Sequence, residues 1–210
     1  NYCFKKNIFF YFYTSNRINV KTEEKARDWR YKKLCEKASE IINRTRISNK
    51  IFILTGHTST DSTETFFLNL ARGSNFAGSG GIQKKRLINE KYFLVRPLLI
   101  FNRNDTGSIC KDLKIPFWED PTNRDINLKR NFIRYKIIDE LEKIYPRCSN
   151  RINNFTNQIR NMHEERLELC NLAIESCICN EGIKRSVINN LGLQTRSTIL
   201  YYILNQKCIK

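Results

Sequence analysis

Residues 51–65, with the sequence IFILTGHTSTDSTET, contain the strongest structural signal in the chain. The first four form a continuous apolar run, which predicts a strand buried on both faces of a parallel sheet. The segment that follows is rich in hydroxyl groups and carries His57, Asp61 and Glu64. Because open parallel sheets bind ligands beyond the carboxyl ends of their strands, this segment is a candidate site for a hydrated cation or a polyphosphate.

The sequence on either side predicts alternating strands and helices. Thr22 is a helix N-cap, and Ala26, Leu34, Ala38 and Ile41 recur at helical spacing, so they are expected to face the sheet. Further strands are predicted at residues 8–13 and 92–95. Helices are predicted at residues 64–72, 105–114, 128–144 and 195–205, the first of them stopped by Gly73. The predicted fold class is α/β, with a Rossmann-like parallel sheet.

Beyond Pro146 the chain changes character, because glycine and proline almost vanish and Ile152, Phe155, Ile159 and Met162 follow a helical repeat. We therefore expect an α/β domain over residues 1–147 and a helical domain over residues 148–210.

The composition narrows the class of partner. The 210 residues include 37 Lys and Arg against 21 Asp and Glu, a formal net charge of +16. Such a surplus favours a polyanion, most often a nucleic acid. A basic membrane-surface protein is disfavoured, because the cationic residues are spread along the chain instead of lying on one amphipathic helix. Eight cysteines without a C-x-x-C pair predict free thiols.

A second polar constellation lies between residues 119 and 134. Its first half, Asp-Pro-Thr-Asn at 120–123, is typical turn chemistry. The helix that follows presents Arg130, Asn131 and Arg134 on a side opposite Leu128 and Phe132. Guanidinium forks bind planar oxyanions, so this side of the helix is either a binding site or an ordinary solvated face.

Four stretches in register resemble the tRNA(Ile)-lysidine synthetases. They lie at residues 24–31 (E-x-A-R-x-x-R-Y), 55–74 (TGH-x-x-x-D-x-x-ET with RGS), 96–98 (RPL) and 120–134 (D-x-TN with RN-x-x-R). The resemblance covers most of residues 24–134, and Leu193-Gln194-x-Arg196 fits it more loosely. It implies an N-type ATP pyrophosphatase fold followed by a helical linker domain.

The resemblance also implies a two-step reaction. ATP would adenylate C2 of the wobble cytidine in a CAU-anticodon isoleucine tRNA, and free lysine would then displace AMP to leave lysidine. By residue, it implies that His57, Asp61 and Glu64 lie at the active site, with Asp61 and Glu64 as Mg²⁺ ligands. It implies that tRNA or substrate is held by a basic set: Arg27, Arg30, Arg72, Arg130, Asn131 and Arg134.

One family feature is missing from these residues, the S-G-G-x-D-S loop that holds pyrophosphate. Gly80-Gly81 lies in a different segment, so the chain as given is expected to bind ATP poorly, with the loop expected upstream of Asn1. The alternative function is a catalytically inactive tRNA-binding fragment or relic. A tRNA thiolation enzyme ranks last, since C-x-x-C is absent.

Source and assembly are less constrained. Thr58 and Thr60 stand where His and Asp are usual, a variant similar to the cyanobacterial and plastid branch, and the composition is typical of A/T-rich coding DNA. The expected location is the plastid stroma, with the bacterial cytoplasm as the alternative. No membrane partner is expected, and a homodimer is left open.

Overall fold

The chain divides into two units in the computed structural model, which describes residues 2–15, 22–45, 50–76, 78–118, 120–179 and 182–207. Unit 1 consists of Asn1–Gly56 and Lys84–Pro97, and unit 2 of His57–Gln83 and Leu98–Lys210. The domain boundary expected between residues 147 and 148 stays a prediction.

Unit 1 is built on a three-stranded sheet. Its described helices and strands are α1 (Tyr2–Lys5), α2 (Glu23–Thr45), β1 (Ile51–Leu54), β2 (Lys85–Leu87) and β3 (Tyr92–Val95). β1 pairs in parallel with β3, and β2 pairs antiparallel with β3, giving the order β1-β3-β2. The predicted strands at 51–54 and 92–95 and the α/β class are confirmed, with a sheet that is mixed instead of purely parallel.

The core of unit 1 lies between the sheet and α2. The Thr22 hydroxyl accepts a hydrogen bond from the Lys25 amide at 3.3 Å, as expected of a helix cap. The sheet contributes three buried side chains. Helix α2 packs on them through a stripe of residues that is mostly shifted by one position along the sequence from the predicted stripe. The core comprises Ile53, Tyr92 and Leu94 from the sheet and Tyr31, Cys35, Ala38 and Ile42 from α2.

The predicted stripe on α2 is therefore mostly wrong. Of its members Ala38 packs on the core, whereas Leu34 and Ile41 are 41% and 40% exposed. The partly buried Tyr31, which packs on the core, was not part of the predicted stripe.

The opposite face of the sheet is open, so the prediction that β1 is buried on both faces is wrong. Phe52 and Leu54 are 51% and 63% exposed, because α2 covers the other face. On the open face the Lys85 ammonium lies 4.4 Å from the centroid of the Phe93 ring. Phe52 and Phe93 also contact each other, with centroids 5.7 Å apart.

The strand predicted at residues 8–13 is not formed. This segment is irregular and exposed, with Phe9 at 86% and Phe12 at 76%. Its aromatic composition favours a strand, but strands require hydrogen-bonded neighbours, and in the described sheet this segment has none. Tyr11 instead lies under the ammonium of Lys37, 3.8 Å from the ring centroid.

Unit 2 is mostly helical. Its described elements are α3 (Ser59–Ala71), α4 (Arg103–Asp112), α5 (Lys129–Ile133), α6 (Asp139–Ile144), α7 (Cys148–Cys177), β4 (Ile178–Cys179), β5 (Gly182–Ile183), α8 (Arg185–Asn189) and α9 (Leu193–Lys207). A 3₁₀ turn covers Pro121–Arg124, and a π-helical turn at Arg134–Ile138 joins α5 to α6. The predicted helices are present, and α3 begins five residues earlier than expected.

Helices α3 and α7 meet along a polar seam. The Ser59 hydroxyl donates to the side-chain oxygen of Asn150 at 2.6 Å, and the Thr63 hydroxyl donates to the carbonyl of Ser149 at 3.2 Å. Farther along α7, Ile174 forms an apolar cluster with Ile199 and Ile203 of α9. The helical repeat predicted for α7 is only partly buried, because Ile159 is enclosed while Phe155 and Met162 are more than half exposed.

Six cysteines in the described part of the chain are free thiols, as predicted: Cys3, Cys35, Cys110, Cys148, Cys170 and Cys177. The side chain of Cys179 and all of Cys208 lie outside the described residues. None of the described helices combines the length and apolar character needed to cross a membrane.

Candidate functional site

The hydroxyl-rich segment after β1 forms the beginning of α3. Thr58 is the N-cap, and the Asp61 carboxylate accepts hydrogen bonds from the Thr58 amide at 2.7 Å and the Thr58 hydroxyl at 2.9 Å. This reciprocal capping box satisfies amides that the first turn of a helix leaves open. Asp61 therefore has a structural task that the sequence analysis did not assign to it.

Most of the hydroxyls expected to face a ligand are used inside unit 2. Ser59, Thr60, Ser62 and Thr63 are all buried. The Thr60 hydroxyl accepts from the Arg103 amide at 3.1 Å, and the Ser62 hydroxyl accepts from the Ile82 amide at 3.1 Å. The expectation that this segment is a polar loop is corrected, because the helix starts at Ser59 and turns these groups inward.

A buried ion pair lies one turn farther along α3. Arg134 Nε donates to Glu64 Oε1 at 2.6 Å, and Arg134 Nη2 lies 3.8 Å from Asp61 Oδ1. The Glu64 side chain is fully buried, and that of Arg134 is 10% exposed. Glu64 Oε2 and Arg134 Nη1 are also buried and have no hydrogen-bond partner in the described structure. Incompletely paired buried charges of this kind are costly to the stability of the fold.

The electrostatics of the pair follow from its burial. Burial raises the pKa of Glu64, and the hydrogen bond and positive charge of Arg134 offset only part of that effect. Burial alone would lower the pKa of Arg134, but the bond to Glu64 and the charges of Glu64 and Asp61 raise it. The charge of Arg130 also lowers the pKa of Glu64, which places Arg130 within electrostatic range of the pair.

Helix α5 and the π-helical turn that follows it carry the Arg134 side chain that bonds to Glu64. Leu128 and Phe132 are 49% and 48% exposed, whereas Asn131 and Arg134 are buried. The expected division of this helix is thus inverted, with its polar side turned into the protein. The wider turn begins at Arg134, and π turns of this kind are frequent at functional sites.

Asn131 stabilises the turn that precedes α5 through hydrogen bonds. Its side-chain amide donates to the carbonyls of Thr122 and Asp125, both at 2.9 Å. Asp120 closes the other end, accepting from the Thr122 amide at 2.9 Å and the Thr122 hydroxyl at 2.8 Å, and these bonds lower its pKa. The predicted turn is confirmed, and Asn131 is engaged within it.

Asn131→Ala is expected to lower the free energy of unfolding by about 1–2 kcal/mol, because the buried amide that donates to the Thr122 and Asp125 carbonyls is lost. Amide hydrogen exchange should accelerate at Asp125 and Leu128, whose amides close this turn. Asn127→Ala is the control: Asn127 is exposed and should change the free energy by less than about 0.5 kcal/mol. Equal effects of the two changes, measured by urea unfolding, would contradict the assignment.

The remaining predicted residues are not all brought together. His57 is half-buried and directly precedes the Thr58 cap. Arg72 is exposed at the other end of α3, about 16 Å along the helix axis from Asp61. Arg27 and Arg30 are exposed on α2 of unit 1. The structure of unit 2 thus groups Asp61, Glu64, Arg130 and Arg134, and separates Arg72 from them.

A cavity of about 180 Å³ lies beside the ion pair in unit 2. Arg134 lines it together with residues that the sequence analysis missed, among them Arg103, Tyr135, Asp139 and Glu142. Burial raises the pKa of Asp139, while hydrogen bonds from Ser149 and its neighbours outweigh burial and lower the pKa of Glu142. The sequence offered one signal for Asp139 and Glu142: they follow Arg134 on the same predicted helix.

The fit of these residues to Mg²⁺ is unequal. Asp61 is half-buried, with one carboxylate oxygen outside the capping box, as a cation ligand requires. Glu64 does not fit, because it is fully buried and already matched by a guanidinium. Among the described residues, no three His, Cys, Asp or Glu side chains are grouped closely enough to hold a metal ion.

Comparison with known proteins identifies the family. A profile described as PP-loop domain matches residues 6–141, which include both polar constellations and the ion pair between them. The chain belongs to the PP-loop family. The sequence-based resemblance and the fold class that it implied are thereby confirmed.

The relatives of this PP-loop chain described below are all named tRNA(Ile)-lysidine synthase. It is 50% identical over all 210 residues to a tRNA(Ile)-lysidine synthase of Prochlorococcus marinus subsp. pastoris, covering 62% of that protein. It is 42% identical over 192 residues to one of Prochlorococcus marinus strain NATL1A, covering 58%. A chloroplastic tRNA(Ile)-lysidine synthase of Gracilaria tenuistipitata var. liui is 31% identical along the whole chain, which covers 58% of that protein. The PP-loop chain therefore spans about three-fifths of the length of these relatives.

Gly81 has a structural task that excludes it from a phosphate-binding loop. Its φ is +58°, and a Cβ atom there would lie 2.8 Å from the Ser62 hydroxyl and 2.9 Å from the Thr156 hydroxyl. The backbone at Gly81 is packed against α3 and α7, with no room for a phosphate at that position. Gly81 therefore offers no cradle for the phosphates of ATP. The expectation that the chain as given binds ATP poorly stays a prediction.

Proposed function

We propose that this protein joins lysine to C2 of the wobble cytidine of a CAU-anticodon isoleucine tRNA, through an adenylated tRNA intermediate. The observation that carries the proposal is the match, along the whole chain, to relatives named tRNA(Ile)-lysidine synthase. The net charge of +16 supports a polyanionic substrate. ATP would supply the adenylyl group, and free lysine the nucleophile.

The geometry of unit 2 supports distinct roles for the predicted catalytic residues. Glu64 is a positioning residue, since its buried carboxylate fixes the guanidinium of Arg134. Arg134 lines the cavity and is proposed to stabilise negative charge that develops there. Asp61 is the candidate for contact with substrate or Mg²⁺, and His57 lies next to the cap. Direct tRNA contact is proposed for the exposed Arg27, Arg30 and Arg72.

Location follows from the same relatives. The Prochlorococcus protein, at 50% identity, is more similar to the chain than the red-algal chloroplast protein at 31%. We therefore favour the cytoplasm of a cyanobacterium over the plastid stroma that the sequence analysis expected. A homodimer is left open.

The decisive assay is lysine incorporation. The chain, alone and within the longest reading frame that contains it, is incubated with ATP, Mg²⁺, labelled lysine and isoleucine tRNA with a CAU anticodon. Label should enter this tRNA and not methionine tRNA, which shares the anticodon. If neither preparation labels the tRNA although both bind it, the proposal fails and the protein is a tRNA-binding relic.

Asp61→Asn is expected to lower the rate of lysine incorporation by about tenfold or more, because the negative charge beside Arg134 is lost, a change worth about 1.4 kcal/mol in the barrier. Affinity for tRNA should change less than about twofold, since half-buried Asp61 is proposed to act at the reacting group, while the exposed arginines hold the tRNA.

The control is Asp105→Asn. Asp105 occupies the same position of a capping box at the start of α4, where it accepts from the Asn102 amide at 2.9 Å. Both substitutions weaken a helix cap to a similar extent, so a loss of activity confined to Asp61→Asn separates chemistry from capping. Equal activities of the two variants would remove Asp61 from the site.

A further inference from the structure

Two arginine side chains from distant parts of unit 1 converge on one aromatic ring. The guanidinium carbon of Arg27 lies 5.6 Å from the centroid of the Tyr31 ring, and that of Arg86 lies 5.9 Å from it. A third arginine, Arg96, is hydrogen-bonded to the Tyr31 side chain and is 2% exposed. Arg86 is not among the residues predicted to bind tRNA or substrate.

Helix spacing and strand register explain the convergence. Arg27 and Tyr31 are four residues apart on α2, so their side chains are neighbours on one face. Arg86 pairs across the sheet with the buried Leu94, which places it on the side covered by α2. The adjacent Lys85 points to the opposite side, over Phe93. A shift of the β2–β3 register by one residue would exchange the sides of the sheet on which Arg86 and Lys85 lie.

The charges in this group repel one another. Burial lowers the pKa of Arg96, and the positive charges of Arg86 and Arg27 lower it further, while its bond to Tyr31 acts in the opposite direction. Neither Arg27 nor Arg86 forms an ion pair with a carboxylate that the structure describes. Three positive charges held this close together favour an anionic ligand.

We propose that Arg27 and Arg86, held against Tyr31, form a binding site for a phosphodiester of RNA. Both side chains are exposed. Because each guanidinium already stacks on the Tyr31 ring, it loses less conformational freedom on binding a ligand than an unrestrained arginine would. Buried Arg96 holds the Tyr31 side chain through their hydrogen bond and is a positioning residue. The inference rests on the proposed function only in naming tRNA as the source of the phosphodiester.

An exposed pair of arginines suits a polymer better than a small anion. A free phosphate must replace strong hydration at a site that water also reaches, whereas an RNA strand gains from many simultaneous contacts and from the release of counterions. Binding should therefore depend steeply on salt.

The test compares Arg86→Gln with Lys85→Gln in the full chain. Each change removes one positive charge from neighbouring positions of the same strand, but only Arg86 faces Tyr31. Affinity for isoleucine tRNA is measured between 50 and 300 mM KCl. Arg86→Gln should weaken binding about three- to tenfold at 100 mM and reduce the slope of log K against log salt by about 0.7–0.9, the value of one phosphate contact. Lys85→Gln should leave both the affinity for tRNA and the salt slope unchanged within error.

Further variants and ligands separate the outcomes. Arg27→Gln should behave as Arg86→Gln does, and Arg86→Lys should restore the salt slope but not the full affinity. Thermal unfolding checks that each variant is folded. Equal effects of Arg86→Gln and Lys85→Gln would overturn the inference, because only the overall charge would matter. Weaker binding of ATP or pyrophosphate with unchanged tRNA affinity would also overturn it, by assigning the site to a free phosphate ligand.

The result is independent of the ligase activity. If lysine is not incorporated but Arg86→Gln still lowers tRNA affinity and salt slope, the proposed function fails and the phosphodiester site stands. If lysine is incorporated and Arg86→Gln binds tRNA as the unaltered chain does, the site fails and the proposed function stands.

Discussion

Arg134→Met is expected to lower the free energy of unfolding by about 3–5 kcal/mol at pH 7.5, the largest effect of any single substitution considered in unit 2. The change leaves the fully buried Glu64 carboxylate without the guanidinium that now donates to it at 2.6 Å. Urea unfolding followed by circular dichroism measures the difference. Arg72→Met makes the same chemical change at an exposed position and should cost less than about 1 kcal/mol.

The paired variant tests the cause. Glu64→Leu together with Arg134→Met removes both charges and should recover most of the lost stability, since apolar replacements of buried ion pairs are often neutral. Additive losses in this double-mutant cycle would show that the two residues do not act as a pair.

The effect should also depend on pH. The pKa of Glu64 is raised by burial, so the folded protein holds this proton more tightly than the unfolded chain does. The stability contributed by protonated Glu64 is present below the unfolded pKa and is lost as the pH rises through the raised folded pKa. Without Arg134 the pKa rises further, so the deficit of Arg134→Met should shrink between pH 7.5 and pH 5. An equal deficit at both pH values would mean that an ionised Glu64 is not its cause.

Gly81→Ala is expected to cost about 2–4 kcal/mol. The left-handed backbone at this position accounts for about 1 kcal/mol, and overpacking against two hydroxyls adds about 1–3 kcal/mol. The new Cβ would lie 2.8 Å from the Ser62 hydroxyl, which also accepts the hydrogen bond of the Ile82 amide.

Gly73→Ala separates these contributions. Gly73 has a φ of +74° at the end of α3, but a Cβ there would have no atom within 4 Å. It should therefore show only the backbone cost of about 1 kcal/mol. If Gly81→Ala is no more destabilising than Gly73→Ala in urea unfolding, the packing of α3 against α7 is looser than the structure indicates.

Local signals in the sequence predicted much of the fold. The apolar run of β1, the Thr22 cap and the helix stop at Gly73 all depend on neighbouring residues, and all three are confirmed. The strand at residues 8–13 was wrong because pairing, which is not local, decides whether a β-prone segment becomes a strand.

The candidate site was predicted in composition but not in geometry. Glu64 and Arg134 were both chosen, yet a bond between residues 70 positions apart has no signature in a single sequence. The 3.6-residue period separated Leu128 and Phe132 from Arg134 correctly, but periodicity alone does not say which side of a helix is buried. Arg86 went unnoticed for a similar reason, since only the register of β2 with β3 carries it toward Tyr31.

The open face of the sheet affects how the protein behaves in solution. Phe52, Leu54 and Leu87 are each more than half exposed there, next to a net charge of +16. At low ionic strength mutual repulsion keeps the copies apart, whereas concentrated salt screens that repulsion and favours self-association through the apolar face. Purified material is therefore best kept dilute and at moderate salt, and light scattering should accompany any titration with KCl, so that loss of dispersed protein is not mistaken for loss of affinity.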